Sequence, residues 1–284
     1  MEYTRYENPS LFGEKVESYL EQHEDVYSLF FGVLQGIKAG RYENPFMATI
    51  TEAGELVAIF QMTPPHPFNI VIVQEERLED ALDLIINKIT KANIEIPSVI
   101  SLKPWAFRFA DKWKATTGAN FKVGMDQGLY RLDQLAEGLE HSPGAWRYAS
   151  EDDLPLVVKW YHQFGEDAGL APSPDEEVQK KVKMFIEAGE VFLWEDEGKV
   201  VSMMKKARPT AHGVTVSMVF TPPEERRKGY ARTLVFYGTE ELLKQYDFCV
   251  LYTDMLNPTS NKIYQEIGYN KIADSVMLEF SVKE

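Results

Sequence analysis

The sequence predicts an α/β fold with a mixed sheet, organised as two domains in tandem. The chain has 284 residues, more than one domain usually contains. Short apolar strand patterns alternate with amphipathic helical patterns, as they do in α/β proteins. The same order of elements also occurs twice: two helices, three strands, a helix, a strand, a helix and a strand. We therefore expect one domain at 1–138, a linker at 139–144 and a second domain at 145–284.

In the first half, each element is predicted from its hydrophobic period. Helical periods predict helices at residues 9–22, 26–38, 78–91 and 105–116. Alternating or continuously apolar runs predict strands at residues 46–51, 55–62, 68–73, 98–102 and 121–131.

The second half repeats this order. Ser150 as N-cap, with Asp153 three residues later, predicts the start of a helix. Further helices are predicted at residues 175–187, 228–244 and 257–267. Strands are predicted at residues 190–195, 199–206, 213–220, 248–253 and 271–280.

Local similarities support a duplication of the whole domain. The turn and strand GELVA at 54–58 recur as GKVVS at 198–202. Trp113 followed by Gly118 corresponds to Tyr264 followed by Gly268. The join falls where Gly, Glu and Ser-Pro are concentrated, a composition typical of linkers.

Composition excludes several classes of function. A net charge of −14 argues against nucleic acid as a partner, because phosphate binding needs a surplus of Lys and Arg. One cysteine and five histidines without a metal-binding spacing predict no disulfide framework and no metal site. No secretory signal and no apolar run long enough to span a membrane are present. We expect a cytoplasmic protein, monomeric or homodimeric, that does not bind membranes.

The strongest local motif lies at 219–231, between a strand pattern and an amphipathic helix. Two prolines end the strand, because proline cannot donate a ladder hydrogen bond. Gly229 permits close backbone approach, so the first N–H groups of the helix would face an anion such as pyrophosphate. Arg227 and Lys228 add positive charge there. The alternative interpretation is a solvated basic turn with a glycine kink.

A second motif follows the apolar strand at 248–253. With both motifs, the chain resembles the GNAT superfamily of acyl-CoA-dependent N-acetyltransferases. The phosphate loop of that family, Q/R-x-x-G-x-G/A, is matched by Arg226, Gly229 and Ala231. Its later asparagine, helical tyrosine and Gly-Phe/Tyr pair are matched by Asn257, Tyr264, Gly268 and Tyr269.

The resemblance covers residues 145–284 and implies a central, mostly antiparallel sheet flanked by helices. Residues 1–138 resemble this GNAT-like fold only in the order of their elements. At the phosphate-loop position they read QEERLE, at 74–79, which is acidic and lacks glycine. The first domain is therefore interpreted as a degenerate, non-catalytic copy.

The resemblance also implies roles for individual residues. Acetyl-CoA would be the co-substrate, with no metal. Its pantetheine arm and pyrophosphate would be held by Val219, Phe220, Thr221, Arg226, Arg227, Lys228, Gly229, Tyr230, Ala231, Arg232, Asn257 and Asn261. Tyr264 would be the general acid that protonates the departing CoA thiolate. Its alternative role is that of an aromatic core residue beside Ile267.

The base that deprotonates the amine stays open at this stage. The strand at 213–220 lacks the carboxylate that family members often place early on it, which leaves bound water, Glu166, Asp167 or Asp254. Acceptor specificity is expected in the segment 160–174, which includes Trp160, Tyr161 and Phe164; a plain core helix is the alternative.

Three functions follow from these residues. The first is an N-acetyltransferase that moves an acetyl group directly to a primary amine of a small molecule or an amino-acid-like acceptor in a ternary complex. The second is a CoA-binding sensor or regulatory module without turnover. The third, a scaffold for protein interactions, is the least consistent with a basic phosphate loop.

Overall fold

The computed structural model describes residues 1–281. Its α-helices are α1 Pro9–Leu20, α2 Ser28–Lys38, α3 Leu78–Lys91, α4 Lys103–Thr117, α5 Leu154–Asp167, α6 Asp175–Glu187, α7 Tyr230–Leu242 and α8 Pro258–Ile267. Its strands are β1 Glu2–Arg5, β2 Phe46–Glu52, β3 Glu55–Met62, β4 Phe68–Ile72, β5 Ser98–Leu102, β6 Asn120–Leu132, β7 Ala145–Tyr148, β8 Val191–Asp196, β9 Lys199–Ala207, β10 Gly213–Phe220, β11 Phe248–Asp254 and β12 Asn270–Ser281.

The α/β fold with a mixed sheet is confirmed, and every helix and strand predicted from the sequence is present. The sequence analysis missed β1 and β7. Each has four residues and pairs antiparallel with the next strand along the chain, β1 with β2 and β7 with β8. Four residues are too few to show a clear period of two.

The chain forms two compact units, and neither is one continuous stretch. Unit 1 contains Met1–Leu129, Thr253–Asn257 and the described residues from Lys271 on. Unit 2 contains Tyr130–Tyr252 and Pro258–Asn270. The expected domains at 1–138 and 145–284 therefore differ from the observed units at the closing strands.

The closing strands explain this difference. β12 belongs to unit 1 because it pairs antiparallel with β5, where Ser275 lies opposite Leu102. Val276 of β12 is fully buried in the core of unit 1. β6 begins in unit 1, but its last residues, including Tyr130 and Leu132, pack in the core of unit 2. Each half thus contributes its closing strand, wholly or in part, to the core of the other unit.

Unit 1 has the strand order β1-β2-β3-β4-β5-β12, antiparallel except for the parallel pair β4–β5. Helices α3 and α4 pack on one face of this sheet. Helices α1 and α2 pack on the other face, against the alternate side chains of the same strands. Successive side chains of a strand point to opposite faces of the sheet, so helices on both faces bury both sets of side chains.

Unit 2 has the strand order β7-β8-β9-β10-β11, antiparallel except for the parallel pair β10–β11. Helices α7 and α8 cover one face and α5 and α6 cover the other. The mostly antiparallel sheets implied by the family resemblance are therefore observed in both units.

The predicted cap before α5 is confirmed. The Ser150 N–H donates to Asp153 Oδ2 at 2.8 Å, and the two residues form a reciprocal capping box. The Arg147 guanidinium donates to both carboxylate oxygens of Asp153, at 2.7 and 2.9 Å. These contacts lower the pKa of Asp153 to about 2. The cap therefore also fixes β7 to the start of α5.

The segment at 139–144, expected to be a linker, is instead hydrogen-bonded to unit 2. The Ser142 N–H donates to Thr233 Oγ1 on α7 at 2.9 Å. The Trp194 indole N–H on β8 donates to the Pro143 carbonyl at 2.9 Å. These contacts and the unit bounds place the segment within unit 2.

Candidate functional site

Strand β10 changes its pairing just before the predicted phosphate loop. Its parallel pairing with β11 runs from Gly213–Phe248 to Thr215–Val250, although both strands continue beyond that point in the described chain. On its other side, the register with β9 shifts between Ser217 and Phe220. Met218 lies at the shift with a φ of 49°, the geometry of a β-bulge. Beyond Thr215 the two strands are no longer paired, and we refer to this separation on the way to the loop as the cleft.

The loop itself has the backbone geometry expected of an anion site. A short 3₁₀ turn at Pro223–Glu225 follows the strand. Arg227 and Gly229 then have φ values of 65° and 82°, in the left-handed region. Gly229 is the N-cap of α7, so the first N–H groups of that helix have no intrahelical partner. Aligned peptide dipoles make this helix end favourable for a negative charge.

The basic side chains of the loop are largely paired within unit 2. Lys228 Nζ donates to Glu225 at 2.7 Å, and Lys199 donates to the other oxygen of the same carboxylate. These two lysines lower the pKa of Glu225. Arg226 donates to Asp167 at 2.5 Å and to the Thr221 carbonyl at 2.9 Å. The positive charge predicted here is thus partly neutralised by neighbouring carboxylates.

The first turn of α7 is held by its side chains. The Tyr230 hydroxyl donates to Asp196 at 2.6 Å, and this bond together with burial raises the pKa of Tyr230 to about 12. Arg232 donates to Glu266 at 3.1 Å. Both side chains therefore have structural partners within unit 2.

The end of β10 is packed tightly. The Phe220 ring is buried against Trp160 of α5, and Val219 packs toward the α7 side of the sheet. The carbonyls of Phe220 and Thr221 accept hydrogen bonds from Ser202 and Arg226 respectively. Phe220 and Thr221 are predicted to hold CoA, and the carbonyl of each already accepts one hydrogen bond within the chain.

Tyr264 lies in the core of unit 2. It is 8 % exposed and packs with Ile267 and Tyr269 on α8 and after it. Burial raises the pKa of its hydroxyl to about 12, so the phenol stays protonated at neutral pH. Its position satisfies the core-aromatic alternative, and its protonation state suits a general acid; the catalytic role stays a prediction.

The two predicted asparagines lie at the start of α8. The Asn257 N–H donates to the Asp254 carbonyl at 3.0 Å, and both residues belong to unit 1. Asn261, on the helix in unit 2, accepts a hydrogen bond from the Tyr130 hydroxyl at 2.9 Å. Asn261 therefore fixes α8 to the end of β6.

The candidate bases differ in their surroundings. Asp167 is committed to its ion pair with Arg226, and Asp254 accepts a hydrogen bond from the Leu256 N–H at 2.8 Å. Glu166 is exposed at the end of α5. On the same helix Trp160 is 3 % exposed and packs in the core, as the core-helix alternative requires.

One buried polar group was missed by the sequence analysis. Thr215 is 1 % exposed, and its hydroxyl has no hydrogen-bond partner among the described residues. It occupies the last paired position of β10 before the cleft opens. Its neighbours Val214 and Val216 face α7, so by strand alternation Thr215 faces α5. A polar residue between two buried valines was the available signal.

An open cavity of about 270 Å³ also lies in unit 2. It is lined by Ala149, Ser150, Glu151, Leu154, Lys183, Ile186 and Glu187, and none of the predicted site residues lines it.

Residues 1–281 contain neither a metal-binding cluster nor a membrane-spanning helix. Their His, Cys, Asp and Glu side chains form no group of three or more that could hold a metal ion. None of their helices combines the length and apolarity needed to cross a bilayer.

The chain is similar to known acetyltransferases in sequence locally and in fold throughout. Residues 198–278 match the family model of FR47-like proteins, a GNAT-related family. This match spans β9, the phosphate loop, α7, β11, α8 and most of β12. The chain has the GNAT fold. The resemblance predicted from the two motifs is thereby confirmed at the level of the fold.

Solved structures extend this similarity to both units. A GNAT-family acetyltransferase from Colwellia psychrerythraea is 16 % identical, with both chains fully covered and a TM-score of 0.60. A GCN5-related N-acetyltransferase from Sphaerobacter thermophilus is 14 % identical over 99 % of this chain and 96 % of its own, with a TM-score of 0.65. A tandem GNAT protein from the clavulanic acid biosynthesis pathway is 10 % identical over 99 % and 98 %, with a TM-score of 0.60. No curated protein has a matching sequence.

Proposed function

We propose that unit 2 is an N-acetyltransferase that transfers an acetyl group from acetyl-CoA to a primary amine of a small molecule or an amino-acid-like acceptor. The GNAT fold supports acyl transfer in general. The observation that carries the proposal is the cleft between β10 and β11, which leads to the start of α7 through a loop with left-handed backbone at Arg227 and Gly229. The pantetheine arm of acetyl-CoA could enter such a cleft, and its pyrophosphate could bind to such a helix end.

The residues present fit acetyl-CoA in this orientation. The pyrophosphate would accept hydrogen bonds from the backbone N–H groups of residues 227–231, and Arg227 would add charge. Lys228 would turn from Glu225 toward the phosphates, because a doubly charged anion competes well with one carboxylate. The pantetheine arm would lie in the cleft.

The reaction would then proceed in a ternary complex. The neutral amine attacks the thioester carbonyl carbon, forming the new C–N bond, and the C–S bond breaks to release the CoA thiolate. Tyr264 would donate its proton to the sulfur, and we propose that a water held by the unpartnered Thr215 hydroxyl accepts the proton lost by the amine. Products are the amide and free CoA. Burial raises the pKa of Cys249 to about 12, which disfavours a covalent acyl-cysteine route.

A CoA-binding sensor without turnover is the second candidate. It is favoured by the burial of Tyr264 in the core and by the pairing of the loop cations with carboxylates. The two candidates share the binding site and differ only in chemistry. In either case we propose a small-molecule ligand, without nucleic acid or membrane, and a cytoplasmic monomer or homodimer.

Binding and turnover separate these functions. Calorimetry with CoA should give one site per chain, since unit 1 has an acidic loop at the equivalent position. Thiol release from acetyl-CoA should then appear with some members of a panel of small primary amines. Binding without thiol release across the panel would favour the sensor, and absence of CoA binding would reject both functions.

A further inference from the structure

The segment at 139–144 contacts the phosphate loop through one side chain. Ser142 Oγ donates to the Lys228 carbonyl at 2.7 Å. The backbone N–H of Ser142 is itself fixed, because it donates to Thr233 Oγ1 on the first turns of α7 at 2.9 Å. Thr233 is fully buried. The hydroxyl is therefore held in place by the helix whose start it contacts.

The consequence follows from the geometry of one peptide group. The Lys228 carbonyl and the Gly229 N–H belong to the same planar trans peptide, so they point in opposite directions. A hydrogen bond that fixes the carbonyl toward Ser142 therefore fixes the Gly229 N–H away from it. No hydrogen bond within residues 1–281 uses that N–H. It lies next to the unpaired N–H groups of α7.

Space around Gly229 supports the same arrangement. A Cβ placed on Gly229 would lie 2.7 Å from Ser142 Oγ, closer than real Cβ atoms approach. The Ser142 hydroxyl thus occupies the space that a side chain on residue 229 would need.

We propose that Ser142 is a positioning residue of the phosphate loop, which orients the Gly229 N–H toward the pyrophosphate of the acyl donor. The inference rests on the proposed function. It assigns a binding role to a segment whose composition indicated only a linker. Because Ser142 would act on the phosphate end alone, its removal should affect donors with a pyrophosphate and spare those without one.

The test compares CoA with pantetheine, which lacks the pyrophosphate. In the full chain, Ser142→Ala should weaken the Kd for CoA about tenfold, the value of one hydrogen bond to a charged system. The Kd for pantetheine, measured at millimolar concentration by the shift of the melting temperature, should change less than twofold. Ser142→Thr keeps the hydroxyl and should restore most of the CoA affinity. Titration with inorganic pyrophosphate alone should show the same order of the three proteins.

The outcomes distinguish this inference from the proposed function. If the wild-type chain does not bind CoA, the proposed function and the inference both fail. If the wild-type chain binds CoA and Ser142→Ala binds it equally well, only the role of Ser142 is rejected. Equal weakening of CoA and pantetheine would show a general structural role and would also reject it.

Discussion

The two halves of the chain contain the same elements in the same order, yet the equivalent pair of parallel strands is held differently in each. In unit 2 the pairing of β10 with β11 stops at Thr215, and β10 is bulged on its other side. In unit 1 the register of β3 with β4 has no shift. The backbone pairing of β4 with β5 also stops before the strands end, at Asn69 opposite Ile100, but beyond it the Ser101 hydroxyl donates to the Ile70 carbonyl at 2.6 Å. One side chain thus joins the strands that separate in the other unit.

The loops differ in the same sense. Before α3 the chain has Glu75 and Glu76 in a 3₁₀ turn, and Glu79 in the first helical turn is paired with Arg108. Before α7 a 3₁₀ turn also carries Glu224 and Glu225, but three consecutive cations and a left-handed glycine follow it. An acidic helix start satisfies the dipole from within the chain, whereas a basic one with free N–H groups needs an external anion. We therefore expect an anionic ligand at the helix start of unit 2 and none at the helix start of unit 1.

The largest expected effect concerns Tyr264, whose counterpart in unit 1 is Trp113, which has no phenol. Tyr264→Phe keeps the buried ring but removes the proton donor, so kcat should fall 10²- to 10⁴-fold with little change in CoA affinity. Steady-state kinetics with a true amine acceptor measure this. Tyr269→Phe is the control, because Tyr269 is buried in the same core but its hydroxyl bonds to Thr239. An unchanged kcat in Tyr264→Phe would show that Tyr264 is an aromatic core residue and not the general acid.

The second prediction uses two glycines with left-handed backbone, one in each unit. Gly229→Val should weaken CoA binding at least 100-fold, because the side chain would strain the backbone, meet Ser142 and block the anion. Gly54→Val imposes similar backbone strain at a φ of 89°, in a turn with open space around it. It should lower stability without changing the Kd for CoA. Equal CoA affinity in Gly229→Val, measured by calorimetry, would contradict the assignment of the phosphate loop.

The third prediction concerns the point where β10 and β11 separate. Thr215→Val is nearly isosteric and removes the unpartnered hydroxyl, so kcat should fall about tenfold through loss of one water-anchoring hydrogen bond, while CoA affinity stays unchanged. Ser217→Ala is the matched control, because Ser217 Oγ already donates to the Lys205 carbonyl. Ser217→Ala should retain the wild-type rate constant in single-turnover measurements. If Thr215→Val retains it too, Thr215 does not hold a functional water.

The smallest expected effect is on the free energy of unfolding. It is tested on two carboxylates, Asp153 and Glu79, whose pKa values are both lowered to about 2. Asp153 is buried in the capping box of unit 2, whereas Glu79 is 48 % exposed in unit 1. Since a lowered pKa stabilises the folded state above the unfolded pKa, the contribution of Asp153 is present above pH 4 and is lost between about pH 4 and pH 2. Asp153→Asn should cost roughly 2 kcal/mol at pH 7. Glu79→Gln should cost less than about 1 kcal/mol, because exposed pairs are screened by solvent.

Urea unfolding at pH 7 and at pH 3 measures how much Asp153→Asn and Glu79→Gln each lower the free energy of unfolding. Equal costs for the two variants at pH 7 would show that burial does not separate these two ion pairs.

Most of the fold could be predicted from the sequence because each element has a clear period. The bounds of α3, β5 and β10 agree with the prediction to the residue. The pairing of β5 with β12 could not be predicted, since periodicity shows which face of a strand is buried but not which strand lies beside it. A contact between strands more than 160 residues apart leaves no local trace.

The site was predicted where its chemistry is local. Prolines, cations and Gly229 lie within one short segment, and the loop they form has the expected backbone. Its partners were not foreseen, because Ser142 lies 86 residues before Lys228 and Asp167 lies 59 before Arg226. Both came from segments with an ordinary polar composition. The neutralisation of Arg226 was missed for the same reason, whereas the pairing of Lys228 with Glu225 spans only three residues.

The position of β12 bears on how this protein is made. During synthesis the chain emerges from its N-terminus, and the first half is complete long before β12 exists. Until then β5 has an unpaired edge, and the hydrophobic core that receives Val276 and Leu278 is unfilled. The first unit can therefore reach its final state only when β12 has left the ribosome. A nascent chain stalled before β12 would expose the edge of β5, and exposed edges favour aggregation.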